Sequence, residues 1–396
     1  MSTADPVVIL GTERTPIGAF QGGYSSLSAP QLGGAAIGAA VERSDLAPEA
    51  IDEVLMGCVL AAGQGQAPAR QAAVAGGLPF SVPATTVNKM CGSGMKTVMM
   101  AHEALQARPQ AVIVAGGMES MTNAPHLLPR MRSGQRLGHG VVQDHMFLDG
   151  LEDAFDPGRL MGTFADDTAQ AYQFTREDQD AYAIESLTRA KTASDEGHFD
   201  TEIVPIDVTT RKGDKTIARD EQPLVANIEK IPSLRPAFSK DGTVTAANSS
   251  SISDGAAALV LARASTADKL GARPRARIVA ATSHAREPAW FTTAPIGAVE
   301  QLIEATGWSL KDIDLFEINE AFAVVPMAAM RDIGLPHDIV NVHGGACALG
   351  HPIGASGARI LVTLLATMEQ NNSRRGIAAI CIGGGEATAL AIERIE

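Results

Sequence analysis

The sequence predicts an α/β protein made of two similar halves. Three observations support this fold class: continuous apolar runs of strand length, helical apolar patterns between them, and a repeat of this order near the C-terminus. Apolar runs such as residues 111–115 are typical of strands that are covered on both faces. Helices that alternate with such strands indicate the α/β class.

The repeat consists of three sequence matches that occur in the same order in the two halves. The matching pairs are residues 51–55 with 313–317, 93–96 with 356–359, and 113–119 with 380–386. Matches that recur in order, with only small changes in spacing, indicate a duplicated unit. Related halves bring equivalent turns together near a shared axis. We therefore expect the turn around Cys91 to face residues 354–357 and their neighbour His351.

The elements of the first half follow from apolar period and from breaker residues. The sequence predicts a strand at 7–10, helices at 32–43 and 68–75, a short apolar segment at 51–56, a helix at 95–106 and a strand at 111–115. Much later in the chain, the apolar run 256–261 predicts a strand that returns to this half.

The segment between the two halves has a different composition. Residues 120–248 are richer in charge, proline and turn residues, with one clear helix at 176–196 that opens with a capping pattern at Thr175. This composition indicates an excursion rather than a third core. We predict an N-terminal half (1–119 plus 249–271), an inserted loop domain (120–248) and a C-terminal half (272–396).

Composition and charge exclude several classes of protein. A chain of 396 residues with 45% hydrophobic residues buries a large core. The net charge of −13 argues against general nucleic-acid binding. Four cysteines in so long a chain do not form a disulfide framework, which indicates a reducing compartment. Since no basic leader and no membrane-length apolar run is found, we expect a soluble cytoplasmic protein without a membrane partner.

Cys91 is the first candidate for chemistry. It precedes the small-residue turn 92–94 and the predicted helix 95–106. Free backbone N–H groups at a helix N-terminus favour negative charge. The sequence therefore predicts a Cys91 thiol of lowered pKa that acts as a nucleophile. The alternative is a small, buried structural cysteine.

Three further residues are candidates because of what surrounds them. His351 lies in the glycine-rich run 344–357 and, beside a nucleophilic cysteine, would be its base; the alternative is a turn-capping histidine. Cys381 interrupts an apolar strand just before glycines 383–385, whose N–H groups suit an oxyanion hole; the alternative is a core cysteine. Asn319 follows an apolar segment, where an amide can hold a water or an oxyanion, unless it only forms a turn.

The segments around Cys91, 319–322, 344–357 and 381–385 resemble the four signature blocks of the thiolase family, in the family's order and over nearly the whole chain. The resemblance is closest to bacterial members that join two acetyl-CoA molecules into acetoacetyl-CoA. It implies duplicated α/β halves that form a layered αβαβα core. It also implies a reversible ping-pong reaction through an acyl-cysteine, with CoA and acyl-CoA as substrates and with no cofactor or metal.

The resemblance implies a role for each catalytic residue. Cys91 accepts the acyl group and His351 takes its proton. Cys381 removes the α-proton in condensation and returns it in thiolysis. Asn319 holds a water that forms one oxyanion hole with His351, and the backbone N–H groups of Cys91 and Gly383 form the other.

The resemblance also implies that the inserted domain binds coenzyme A, with Ser250 hydrogen-bonded to the pantetheine. The positions that line the acyl and pantetheine channel are Leu151, Met161, Phe238, Ala246, Phe291 and Phe322. The candidates for binding the CoA phosphates are Arg130, Arg132, Arg136, Arg211 and Lys212, for which a solvated basic face is the alternative. The family further suggests a homotetramer joined partly through residues 125–145.

Three positions depart from the family's pattern, and they leave the acyl-chain length open. Leu160 replaces a histidine, Leu224 an arginine and Phe291 a methionine. A thiolase of broader or longer-chain 3-ketoacyl-CoA is therefore an alternative. Cys381 argues against a decarboxylating ketoacyl synthase, and the intact catalytic set argues against a non-catalytic acyl-CoA-binding protein. A Cys–His hydrolase on another fold is disfavoured because water would compete with CoA in so tight a site.

Overall fold

The computed structural model describes residues 5–210 and 213–395. Residues 5–120 follow the predicted alternation, and the helix predicted at 68–75 has those bounds. The elements are β1 (Val7–Arg14), β2 (Gly18–Ala19), α1 (Ala29–Arg43), β3 (Glu53–Gly57), α2 (Pro68–Ala75), β4 (Ala84–Val87), α3 (Ser93–Ala107) and β5 (Val112–Ser120).

The segment that follows forms small elements outside the main sheet. They are β6 (His126–Leu127), β7 (Gln143–Asp144), α4 (Met161–Tyr172), α5 (Arg176–Asp195), β8 (Ile206–Thr210), β9 (Gly213–Ile217) and α6 (Glu221–Val225). The capping box of α5 is confirmed, since Thr175 and Asp178 each accept a hydrogen bond from the other's backbone N–H. The sequence missed α4 because adjacent aspartates at 166 and 167 interrupt its apolar pattern.

The chain then returns to the main sheet and completes the second half. The elements are β10 (Ser253–Arg263), α7 (Ala264–Leu270), β11 (Ala276–Ala285), α8 (Ala294–Thr306), β12 (Leu315–Ile318), α9 (Val324–Ile333), α10 (Ala346–Leu349), α11 (Ser356–Gln370), β13 (Arg375–Ile382) and β14 (Glu386–Arg394). No helix within the described ranges is both long and apolar enough to cross a membrane.

The strand order shows the duplication directly. One half-sheet runs β4-β3-β5-β10-β1 and the other runs β12-β13-β14-β11, and the two are joined where β1 pairs with β11. In each half, a parallel pair (β3–β5, β12–β13) is followed by an antiparallel one (β5–β10, β13–β14). The return of the strand predicted at 256–261 is confirmed, because β10 lies between β1 and β5. The three-part domain division stays a prediction.

Three hydrophobic clusters fill the spaces between five layers, and the second cluster covers both faces of the central layer. Val8 and Leu10 of β1 pack in a cluster with α1 and α2, whereas Val7 and Ile9, which point to the opposite face, pack in a second cluster with α3 and α11. A third cluster lies between the second half-sheet and the helices α8 and α9. The order is therefore helix, sheet, helix, sheet, helix, which confirms the predicted αβαβα core.

The two central helices, α3 and α11, approach each other closely at their first turns. A Cβ placed on Gly94 of α3 would lie 2.8 Å from the Ala358 nitrogen, and one on Gly357 of α11 would lie 2.5 Å from the Met95 nitrogen. Glycine at both positions allows this approach. The turns that precede the helices consequently meet at the seam between the halves, as the repeat predicts.

We expect Gly117→Ala to destabilise the protein strongly. A Cβ on Gly117 would overlap the carbonyl oxygen of Gly354 and lie 2.9 Å from the Cα of Ala355, so that backbone of the opposite half would have to shift. Overpacking of this kind costs about 1–3 kcal/mol. The measurement is the apparent Tm of Gly117→Ala compared with that of Gly140→Ala. Gly140→Ala is the control, because a Cβ on Gly140 meets only the Gln135 side chain, at 3.7 Å. Equal Tm values for the two variants would contradict this account of the seam.

Candidate active site

Cys91 lies in a tight turn between β4 and α3. Met90, the residue before it, has a φ of +46°, in the left-handed region that few non-glycine residues adopt. Two side chains hold this turn: Asn88 Oδ1 accepts a hydrogen bond from the Met90 N–H at 2.9 Å, and the Ser93 hydroxyl donates to the Met90 carbonyl oxygen at 2.6 Å. The turn places Cys91 two residues before the first residue of α3.

The Cys91 turn packs against the end of β13 from the other half. A Cβ on Gly92 would overlap the side chain of Ile382, the last residue of β13. The Lys89 ammonium group forms an ion pair with Glu386, the first residue of β14. These contacts hold the nucleophile candidate against the glycine turn 383–385.

The electrostatic environment of Cys91 differs from the prediction. Burial raises the pKa of its thiol to about 11, although hydrogen bonds from the backbone N–H groups of Gly383 and of Cys91 itself lower it; the Glu119 charge raises it further. The predicted lowering of this pKa is therefore wrong, because the cost of burying a thiolate exceeds the effect of nearby N–H groups. A neutral thiol of this kind requires a base to become a nucleophile.

The Cys381 thiol lies close enough to Cys91 for their charges to interact. Burial raises the pKa of the fully buried Cys381 well above its usual range, and negative charge on Cys91 raises it further. Cys381 is the next-to-last residue of β13. One thiol from each half thus meets at the seam.

His351 is held as a neutral imidazole with one free nitrogen. Its Nδ1 lies 2.6 Å from the Ser356 hydroxyl, which itself donates to the Pro352 carbonyl oxygen at 3.0 Å. Ser356 must therefore accept from an Nδ1–H, which leaves the Nε2 lone pair available. Within the described residues Nε2 has no hydrogen-bond partner. Burial, with a smaller effect of Arg359, lowers the pKa of His351 to about 3.

Asn319 presents a buried amide group that has no partner among the described residues. It directly follows β12, and its backbone N–H donates to the Ala379 carbonyl oxygen of β13 at 2.9 Å. Its side chain is 1% exposed, yet neither Oδ1 nor Nδ2 is hydrogen-bonded. A buried unpaired amide costs free energy unless it serves another group, so Asn319 is suited to hold a water or a substrate oxygen.

The structure brings four of the six predicted channel positions into one apolar cluster. Phe322 has edge-to-face contacts with Phe238 and Phe291, with ring centroids 5.9 and 6.4 Å apart, and these rings share a cluster with Cys381. The Met161 sulfur would lie 3.6 Å from a Cβ on Gly383. These aromatic and thioether groups form an apolar wall beside Cys381.

The remaining predicted binding residues occupy more varied positions. Leu151 packs with Cys91 against an apolar cluster that includes Ile353. The Ser250 hydroxyl donates to the Ala321 carbonyl oxygen at 3.0 Å, and Ala246 is exposed. Arg130, Arg132 and Arg136 are exposed, whereas Arg211 and Lys212 lie outside the described residues. The roles of all these residues in binding CoA stay predictions.

Glu119 is a buried neighbour of the site that the sequence did not single out. Its carboxylate accepts backbone hydrogen bonds from Val59, Leu60 and Gly354 at 3.0, 3.1 and 2.9 Å. Burial raises its pKa to about 7, although those hydrogen bonds lower it. Glu119 thus ties the turn after His351 to the N-terminal half. The sequence contains one relevant signal, since Glu119 matches Glu386 in the repeat.

No group of three or more His, Cys, Asp or Glu side chains in the described ranges is placed to hold a metal ion. The chemistry of the site is that of two thiols, one imidazole, one amide and converging N–H groups. This set suits the capture of an acyl group and the stabilisation of an oxyanion.

Comparison with known proteins agrees with this chemistry. Residues 7–265 match the N-terminal domain model of thiolases and residues 272–394 match the C-terminal one. An acetyl-CoA acetyltransferase of Allochromatium vinosum is 49% identical over 98% of this chain and 99% of its own, and the cytosolic acetyl-CoA acetyltransferase of Mus musculus is 46% identical over 99% of both. The Acat5 thiolase from Ascaris suum in complex with coenzyme A has a TM-score of 0.93 at 44% identity, covering 98% of this chain and 100% of its own. Because the two domain models together match nearly the whole chain, the chain belongs to the thiolase family.

Proposed function

We propose that this protein is an acetyl-CoA C-acetyltransferase, which joins two acetyl-CoA molecules reversibly into acetoacetyl-CoA and CoA through an acetylated Cys91. The observation that carries the proposal is the meeting of two thiols, one from each half, beside the Gly383 N–H. The names of relatives at 46–49% identity over nearly the full length support this substrate.

In the first half-reaction, His351 Nε2 takes the Cys91 proton as the sulfur attacks the thioester carbonyl. The N–H groups of Cys91 and Gly383, which bond the sulfur in the free enzyme, lie where they can stabilise the developing oxyanion. The intermediate collapses to acetyl-Cys91, and the departing CoA thiolate takes the proton from His351. A neutral resting histidine suits this role because it accepts a proton only during the reaction.

In the second half-reaction, Cys381 handles the α-proton of a second acetyl-CoA. Cys381 first passes its thiol proton to His351 Nε2, and the resulting thiolate removes the α-proton. The enolate then attacks the carbonyl of acetyl-Cys91, which releases acetoacetyl-CoA, and the departing Cys91 thiolate takes the proton back from His351. A water held by the Asn319 amide, together with the Nε2–H of the protonated His351, stabilises the enolate oxygen. In thiolysis the steps reverse, and a Cys381 thiol of raised pKa is already in the acid form that protonates the enolate.

The test of substrate is thiolysis by CoA of 3-ketoacyl-CoA substrates of increasing chain length. Phe291 is 3% exposed and lies edge-to-face with Phe164 and Phe322. Because these rings are packed against one another, they limit the length of the acyl chain that the site accepts. We expect acetoacetyl-CoA to be preferred, with kcat/KM falling about tenfold or more per added methylene. Phe291→Met should reduce this discrimination.

The other outcomes of this assay separate the alternatives. Activity that rises with chain length would make the protein a longer-chain 3-ketoacyl-CoA thiolase. Binding of CoA without turnover at any length would instead favour a non-catalytic acyl-CoA-binding protein.

We further propose that the enzyme works as a homotetramer in the cytoplasm, with CoA and acyl-CoA as substrates rather than cofactors. The 125–145 region exposes large apolar side chains, which suits an interface between subunits. They are Leu128, Met131, Leu137, Val141 and Val142. The names of the mouse and rat relatives include the word cytosolic, which supports the location.

A further inference from the structure

Glu320, the residue after Asn319, is a fully buried carboxylate that accepts four hydrogen bonds. Its Oε1 accepts from the Tyr182 hydroxyl at 2.8 Å and from Asn341 Nδ2 at 2.9 Å. Its Oε2 accepts from the Ser186 hydroxyl at 2.7 Å and from the Cys347 backbone N–H at 3.0 Å. The donors come from three segments: helix α5, the loop before α10, and α10 itself. Both oxygens are therefore fixed in position.

The residue on the other side of Asn319 is fixed as well. Asn341, at a φ of +49°, directs its side chain at Ile318, accepting from the Ile318 N–H and donating to the Ile318 carbonyl, both at 2.8 Å. The amide thereby pairs both backbone groups of Ile318, as a neighbouring strand would. The same Nδ2 binds Glu320. Asn319 is therefore held between two anchored neighbours.

The glycine pair 344–345 makes room for this arrangement. A Cβ on Gly345 would overlap the Glu320 carboxylate, and a Cβ on Gly344, which has a φ of +77°, would overlap the Ser186 carbonyl oxygen. The carboxylate thus occupies the space that the absent side chain leaves. The loop that carries these glycines continues through α10 to His351, so one buried charge connects the segments that bear Asn319 and His351.

We propose that Glu320 is a positioning residue that orients the Asn319 amide toward His351 Nε2 for the carbon–carbon half-reaction. This inference rests on the proposed function, in which Asn319 helps to stabilise the enolate oxygen. The alternative is a buried charge that only stabilises the fold. The positioning role and the purely structural role predict different effects when the carboxylate is changed. Only the positioning role predicts a loss confined to the carbon–carbon half-reaction, because transfer of acetyl from Cys91 to CoA uses the other pair of donors, the N–H groups of Cys91 and Gly383.

The decisive variant is Glu320→Gln, which keeps the size but introduces an NH₂ group. If the NH₂ group takes the place of Oε2, it faces the Cys347 N–H; if it takes the place of Oε1, it faces Asn341 Nδ2. Neither of these donors can accept a hydrogen bond. The loop must shift in either case. We expect the kcat of acetoacetyl-CoA thiolysis to fall about 100-fold, the loss typical of a 1 Å misplacement. Isotope exchange between acetyl-CoA and CoA should stay close to wild type.

A double-mutant cycle with Asn319→Ala tests whether Glu320 acts through Asn319. If it does, Glu320→Gln causes little further loss of thiolysis in the Asn319→Ala background. Losses that simply add, or an equal loss of exchange and thiolysis in the single variant, would overturn the proposal. Should Glu320→Gln fail to fold, Tyr182→Phe removes a single donor and should give a smaller loss confined to thiolysis.

Glu202→Gln is the matched control, because it also replaces a buried carboxylate near the seam by an amide. Glu202 is 2% exposed and binds the Arg14 guanidinium and the Thr363 hydroxyl rather than the segment of Asn319. We expect this variant to lower the Tm and to affect exchange and thiolysis equally. A wild-type protein that shows no thiolysis would refute the proposed function itself, whereas a fully active Glu320→Gln variant would refute only the positioning role.

Discussion

Cys91→Ser should abolish formation of the acetyl-enzyme, with a loss of turnover of roughly 10⁴-fold or more. A serine hydroxyl has a far higher pKa than a thiol, and the base available to it is weak, because burial lowers the pKa of His351 to about 3. The measurement is mass spectrometry of the protein after incubation with acetyl-CoA, with the acetylated peptide located by fragmentation. Wild type should carry one acetyl group on Cys91.

The control for this experiment is Cys58→Ser. Cys58 is also buried, but its thiol contacts Glu119 and Gln64 rather than the Gly383 N–H. We expect this variant to be acetylated on Cys91 as wild type is. Acetylation of the Cys91→Ser protein at the wild-type rate would show that the nucleophile lies elsewhere.

The α/β halves were predictable because they depend on local sequence pattern, whereas the catalytic roles came from the resemblance to thiolases and stay predictions. The run at 111–115 and the repeat of 93–96 at 356–359 indicated α/β halves, and the close approach of Gly94 and Gly357 follows from the glycines of those segments. Once two related halves are inferred, their turns must meet. The Cys91 turn can then be placed against residues 354–357 without coordinates.

The properties of those residues could not be predicted in the same way. The sequence shows that Cys91 precedes a helix, but not how deeply it is buried, and burial decides its pKa. The tautomer of His351 depends on which group the Ser356 hydroxyl donates to. Two of the donors to Glu320, Tyr182 and Ser186, lie 138 and 134 residues away from it in the chain, so no spacing rule connects them.

Cys381→Ser should separate the two half-reactions. Acetylation of Cys91 does not need a second thiol, so the acetyl-enzyme should still form. Proton transfer at the α-carbon needs a group that can both remove and return a proton, and a serine hydroxyl is a much weaker acid than a thiol. We expect condensation and thiolysis to fall by about 10²- to 10⁴-fold, the usual contribution of a positioned acid or base. Exchange of acetyl-CoA α-protons with deuterated water, followed by NMR, should fall in parallel.

The structure makes this variant a clean test of the thiol. Cys381 is 0% exposed near the end of β13, where it pairs with Ala387 of β14, and serine has nearly the same size and backbone preference. The fold should therefore survive, and unchanged acetylation of Cys91 verifies this within the same sample. Full condensation activity in Cys381→Ser would remove the second thiol from the mechanism, and His351 would then have to serve both half-reactions. Loss of acetylation together with condensation would mean instead that Cys381 shapes the site of Cys91 rather than handling the α-proton.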